Sequence, residues 1–402
     1  MIFPKSPLWL GPGLVFGLLL FYSADGVRAV ENEKPTNQVF TAAASKSLMA
    51  ALPPEKWQQV EKSVDRGLTW IASQQAADGS FPTLPQGQPA VTSFCIMAFL
   101  SRGHQPGVGP YGQRINRAID FVLSCQLTNG LISLQAPGPV HQDKTPSHTA
   151  SYNHAISGLM LGEVYGQVNG QRAKAAKQAI ERALKFSRNL QTRAKAPEDK
   201  GGWRYTAVYH RSGVDSDLSV TGWYLMFFRS AKNAEFEVPQ ANVDEALTYV
   251  RRLWDPGNRV FNYEMQNGVG VRATRGTVGA GILCLSLAGQ HQTPMARAAG
   301  DWLLEHPFRV GNELDSVRER FFYSAYYCSQ AMVQLGGRHW EQFFPPLVEA
   351  LVSRQTANGS WPPEEGGFGP IGGDSIFGSV YSTSLAVLSL TPPYQLLPVY
   401  QR

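Results

Sequence analysis

Two carboxyl groups stand two residues apart in Asp215-Ser216-Asp217-Leu218-Ser219, directly ahead of an apolar run. A carboxyl placed there has two uses. Buried and held neutral, it is a proton donor. Ionised, it caps the helix that follows by accepting from the first free backbone N–H groups. The residues alone leave both readings of Asp217 open, with Asp215 as the second acid of the pair. Further groups with chemistry stand just before or within the first turns of other apolar runs. They are His148, Tyr152 and His154; Arg272 and Arg275; Arg318, Arg320 and Tyr323; and Asp374 and Tyr381. Tyr323 and Tyr327 also belong to an aromatic crowd with Phe321, Phe322 and Tyr326. Such a crowd forms core, or a wall that stabilises a cation or holds an apolar or sugar ligand.

The elements that must position these groups repeat along the chain. An amphipathic helix ends in Gln, a turn carries Gly and an aromatic residue, and a more apolar helix follows. The pattern is Gln75-Ala-Ala-Asp-Gly79-Ser-Phe81, then Gln126 to Gly130 and Ile132, Gln191 to Gly202-Trp203, and Gln355-Thr-Ala-Asn-Gly359-Ser-Trp361. Degenerate copies run through Trp254-Asp-Pro-Gly257 and Trp302 to Pro307. The apolar period places the second helices near 91–102, 149–165, 218–231, 275–289, 320–335 and 378–391. They are apolar all round and therefore buried, and the more charged first helices are outer. No alternating Val/Thr-rich segment competes for a sheet. The expected fold is all-α, a single (α/α)6 toroid of six helix hairpins sharing one core. In the repeat turns, Gln is expected to bond carbonyls left free at its helix end, and Gly to supply positive φ.

These repeats resemble the QW motif of squalene and oxidosqualene cyclases. The prenyltransferase β-subunit repeat and the complement thioester domain are similar. The nearest likeness is to exported bacterial proteins with squalene-cyclase-type repeats, over residues 53 to 391. Class II terpene cyclases carry Asp-x-Asp-Asp-Thr-Ala at an inner-helix start, where the middle Asp protonates an alkene or epoxide. The resemblance aligns Asp215 and Asp217 with the first two acids, puts Leu218 where the third belongs, and sets Ser219 against the Thr. A single barrel also provides half the walls of a full-length cyclase. The zinc prenyltransferase pattern needs Asp followed by Cys two residues on, where this chain has Ser219. His148 and His154 are six apart, which is not one helix face. No metal and no cofactor is expected, and no nucleotide-binding or thioester motif is present.

The N-terminus carries Lys5, an apolar run from Leu8 to Tyr22 and small residues at Val27 and Ala29. This reads as a cleaved signal peptide over 1–29, shorter than the ~20 apolar residues that span a bilayer, with an uncleaved anchor as the alternative. Residues 30–52 read as a linker and 53–402 as the toroid, and the protein is expected to be exported. The net charge of +5 is scattered, with no basic run, which argues against nucleic acid. The 4 cysteines read as buried small hydrophobes, with a Cys284–Cys328 bridge as the alternative.

In the toroid, all inner helices start at one mouth, where their dipoles favour anions. Asp217 and Asp215 are the catalytic candidates. His148, Tyr152, Arg275, Tyr323, Tyr327, Asp374 and Tyr381 are the ligand-binding candidates. Three readings compete: an isoprenoid-handling protein with an apolar ligand in the mouth, a non-catalytic module with a protein partner, and a polysaccharide-active (α/α)6 enzyme.

Overall fold

Apolar residues spaced three or four apart give the first helix, α1 (Pro54–Ser73), one buried face of Trp57, Val60, Val64, Leu68 and Ile71. The second, α2 (Ala90–Ser101), is buried at every position. This alternation of half-buried and wholly buried helices continues along the chain. The structure is a computed structural model that describes residues 47–207, 213–310, 319–364 and 374–401. Residues 1–46, which include the expected signal peptide and most of the expected linker, lie outside the described residues. Residues 47–52 pack on the toroid: Leu48 and Leu52 are buried, and Trp340 and Trp57 donate to the carbonyls of Leu48 and Met49.

The outer helices after α1 are α3 (Gly112–Ser124), α5 (Gly170–Gln191), α7 (Gln240–Arg252), α9 (Pro294–Glu305) and α11 (Gly337–Val352). The inner helices after α2 are α4 (Pro146–Tyr165), α6 (Leu218–Asn233), α8 (Arg275–Leu287), α10 (Phe321–Leu335) and α12 (Gly378–Leu390). Each inner helix packs on the next, and α12 returns to α2, so the inner ring closes. Outer helix α11 likewise packs on α1. The chain is an (α/α)6 toroid. Among the described residues, no helix is long and apolar enough to cross a membrane.

The repeat turns are stapled differently from the sequence expectation. The amide of Gln355 donates to the carbonyl of Gly359 in its own turn (2.9 Å) and to that of Ser63 in α1 (2.8 Å), joining the sixth repeat to the first. Gln75, Gln126 and Gln191 make the same pair of bonds, each reaching the next outer helix rather than the end of its own. Gly359 sits at φ +95°, and a Cβ there would lie 2.7 Å from the Arg66 carbonyl oxygen, so only Gly lets the turn meet α1. The residue two after each Gly is buried. Its backbone N–H is held by an inner-helix side chain: Thr92 for Phe81, Thr221 for Trp203 and Thr383 for Trp361. In the second repeat His154 takes that place, accepting from Ile132 at Nδ1.

A second correction concerns strands. The degenerate fourth turn folds as two short antiparallel hairpins. In the first, β1 (Trp254–Asp255) pairs with β2 (Val260–Phe261); in the second, β3 (Glu264–Gln266) pairs with β4 (Val269–Val271). Without the Gln–Gly staple, this turn closes through backbone pairing instead. The backbone N–H of Leu218 donates to the Tyr263 carbonyl (2.8 Å), which ties the hairpins to the start of α6. All four cysteines are free and buried, and the thiol of Cys328 donates to the Arg275 carbonyl.

Candidate functional site

Because the inner helices all begin at one end, their first turns surround a common cavity of about 510 Å³. That size lies within the ~300–1,000 Å³ of small-molecule sites. Its apolar part is built from Phe94 of α2, Trp223 of α6, Tyr323 of α10 and Tyr381 of α12. Phe94 meets Trp223 edge-on at 5.4 Å and Tyr381 at 5.9 Å. Its charged lining is Asp143, Lys144, Arg204, Arg272 and Arg320, with His148 beside them. Among the described lining residues cations outnumber carboxylates, and the helix N-termini add to the positive field.

Asp217 lies behind this lining and does not reach it. Its Oδ1 accepts from the Val220 backbone N–H (2.8 Å) and from the Ser219 hydroxyl (3.0 Å), which is the N-cap geometry of α6. Its Oδ2 faces Nε of Arg204 at 3.6 Å, both side chains being almost wholly buried. Burial pushes the Asp217 carboxyl above the usual range, and the Arg204 guanidinium opposes that shift. The cavity meets Asp217 through lining residues that touch it, the Arg204 guanidinium and the Ser219 hydroxyl. Tyr152 lines the wall, and its hydroxyl lies 2.8 Å from Ser219 Oγ. Since Ser219 donates to Asp217, Tyr152 donates to Ser219.

Arg204 organises this corner. Its Nη1 lies 2.5 Å from Glu264 Oε2, and its guanidinium sits over the rings of Tyr205 and Tyr263 at 5.2 and 5.8 Å. Glu264 also accepts from Arg272 at 2.7 Å, and Arg272 covers Tyr263 at 4.4 Å. Two arginines and two carboxylates therefore offset one another, while the Arg272 side chain stays 41 % exposed toward the cavity.

Of the residues nominated from sequence, His148, Tyr152, Tyr323 and Tyr381 line the cavity. Asp215 does not: Arg193 clamps its carboxylate with two nitrogens, and its backbone N–H donates to Asp199. Arg275 is buried against Glu319 (2.8 Å) and the Pro307 carbonyl, over the ring of Phe308. Tyr327 packs edge-on beneath Trp223, outside the lining. The side chain of Asp374 and all of Arg318 lie outside the described residues. His154 is part of the repeat scaffold, and burial drives its imidazole pKa down to about 3. Arg204, Tyr205, Tyr263, Glu264, His141 and Asp143 were missed. The spacing His-x-Asp-x4-His over residues 141–148 was the available signal for the last two.

With this geometry in view, the solved structures similar to this chain include members of two groups of proteins. One is an inactive variant of an α-1,6-mannanase from Salegentibacter sp. HEL1_6 in complex with α-1,6-mannotetrose. It has a TM-score of 0.57 at 10% identity, covering 83% of this chain and 99% of that one. A second mannanase, of family GH76 from Bacteroides thetaiotaomicron, has a TM-score of 0.54 at 12% identity, covering 84% and 96%. The other group is the type II terpene cyclase MstE from Scytonema. A variant in complex with geranylgeranyl dihydroxybenzoate has a TM-score of 0.54 at 14% identity, covering 85% and 99%. No protein-family model matches the chain, and no curated protein sequence does. The chain has the α/α-toroid fold that type II terpene cyclases and family GH76 mannanases share.

Proposed function

We propose that this protein is an exported binding protein for an amphipathic small molecule, isoprenoid in its body and anionic at one end, held in the cavity at the inner-helix N-termini. The observation that carries the reading is the pairing of an aromatic interior with a cationic rim. Phe94, Trp223, Tyr323 and Tyr381 offer an apolar, π-rich wall, and Arg272 projects at the edge. The likeness to a terpene cyclase in complex with geranylgeranyl dihydroxybenzoate supports it. Export rests on the sequence pattern of residues 1–29. The open cavity argues against a purely structural module, whose barrel its own side chains would fill.

Acid-started cyclisation by Asp217 is not part of the proposal. A cyclase acid must face the alkene, whereas both Asp217 oxygens are turned to Val220, Ser219 and Arg204. The mannanase likeness supports a second reading, an oligosaccharide in the same cavity, and as fold likeness it weighs equally. Hydrolysis of a glycoside needs two carboxyl groups flanking the bond. Among the described lining residues Asp143 is the one carboxylate, so this reading too is of binding.

Equilibrium dialysis with farnesyl phosphate and farnesol tests the first reading. Arg272→Ala is expected to weaken farnesyl phosphate by about tenfold, as the loss of one charge-assisted hydrogen bond. It is expected to leave farnesol unchanged. Equal losses for both ligands, or no binding of either, would overturn the reading.

A further inference from the structure

His141, Asp143 and His148 form a cluster that the ligand reading does not use. The loop before α4 supplies the first two and the first turn of α4 the third. Asp143 Oδ1 lies 3.0 Å from His141 Nε2 and 3.4 Å from His148 Nδ1, and the three donor atoms all lie within 4.8 Å of one another. The ring of Tyr205 fixes both imidazoles, stacking on His141 at 4.2 Å and on His148 at 4.5 Å. Asp143 and His148 face the cavity.

Zinc held at ~2.0–2.1 Å by four donors sets them about 3.3 Å apart, the edge of that tetrahedron. The two Asp143 distances bracket this value. Two imidazoles and one carboxylate are a donor set of catalytic zinc sites, which keep a fourth position open. We propose that His141, Asp143 and His148 hold a divalent metal ion of the zinc class, with its open position toward the cavity. The sequence pointed away from a metal because it paired His148 with His154, six residues on. His154 is occupied as a scaffold group, and the partner of His148 is His141.

Charge sets the properties of the site. Two neutral imidazoles and one carboxylate carry −1, so a bound dication leaves +1. Lys144 and Arg204 line the same cavity. Together with the α4 N-terminus they oppose the cation, so the affinity should be moderate. They also make the open position a site for an anionic donor such as a carboxylate or phosphate oxygen.

The test uses untagged protein stripped with chelator, with Zn²⁺ and then Co²⁺ as the probes and no organic ligand present. Metal analysis after equilibrium dialysis should give one Zn²⁺ per chain. Co²⁺ should show the intense visible bands of a four-coordinate ion. Asp143→Asn and His148→Ala should each weaken Zn²⁺ by roughly 100-fold, and His306→Ala, just past the end of outer helix α9, should change nothing. Circular dichroism confirms that each variant is folded. If a variant does not fold, the Co²⁺ spectrum of the unaltered protein decides alone. No stoichiometric Zn²⁺, a six-coordinate Co²⁺ spectrum, or equal binding by folded variants would overturn the proposal. The metal is measured with no organic ligand present, and farnesyl phosphate is measured on chelator-stripped protein, so the two readings fail separately.

Discussion

Replacing Arg204 by Met removes the cation that Asp217 and Glu264 share. The three side chains are 3 %, 0 % and 1 % exposed, so little water reaches the two carboxylates. The cluster of Arg204, Arg272, Asp217 and Glu264 then passes from neutral to −1. Glu264 keeps Arg272, and Asp217 keeps its two bonds at Oδ1, so the loss falls chiefly on Asp217 Oδ2. Breaking a buried pair from one side costs about 3–5 kcal/mol. At ~2.1 cal/mol/K per residue, roughly 350 folded residues have an unfolding entropy near 0.7 kcal/mol/K, so Tm should fall by about 4–7 °C at pH 7. The pH dependence has a definite sign. Without Arg204 the Asp217 carboxyl pKa rises further in the folded state, so the added cost is absent below the unfolded value of 3.8 and grows as pH rises. Scanning calorimetry at pH 7 and pH 4 measures both effects. A variant within about 1 °C of the parent at pH 7, or a deficit that widens toward pH 4, would refute the role given to Arg204.

Three further outcomes follow from the packing. Gly359→Ala places a Cβ 2.7 Å from the Arg66 carbonyl at φ +95°, and should cost about 2–4 kcal/mol of strain and overlap in urea unfolding. An unchanged midpoint would mean that the ring does not close there as described. Glu163, buried and bonded to Ser230 and the Val399 N–H, has its pKa raised by burial from 4.5 to about 7. Its contribution is full below pH 4.5 and lost up to about pH 7, a difference of roughly 3 kcal/mol. Glu163→Gln should therefore flatten the decline of Tm between pH 5 and 8, and an equal slope in both proteins would count against it. Finally, the 4 cysteines are free and buried, so a thiol reagent should find none in the native protein and four after denaturation. Two fewer in the denatured sample would restore the Cys284–Cys328 bridge.

Much of the fold was legible because the inner helices have little freedom in composition. A helix buried on all sides must be apolar all round, and the segment read near 275–289 is α8 (Arg275–Leu287). The Gln–Gly turns were visible, but not their bonding, since Ser63 and Gln355 meet only when the ring closes. The hairpins at 254–271 were hidden by their short strands and polar loops. At the site, helix starts identified Tyr152, Tyr323 and Tyr381 as mouth residues, because position along an inner helix determines which end a side chain occupies. The same rule could not distinguish Asp217, turned inward as a cap, from an acid facing the cavity. It also could not find Arg204, which sits in a turn and meets Glu264 through a hairpin the sequence did not reveal. His154 misled because one histidine replaced the Thr used by three other repeats.

The central claim is that the cavity takes an apolar body with an anionic end. Native mass spectrometry of the protein mixed with equal farnesyl phosphate and α-1,6-mannotetrose tests it most directly, with Ala90→Trp as a variant that fills the cavity beside Phe94. One equivalent of farnesyl phosphate on the parent, none on the folded variant and no mannotetrose on either is the predicted result. Mannotetrose bound in preference, or farnesyl phosphate bound equally by both proteins, would contradict it.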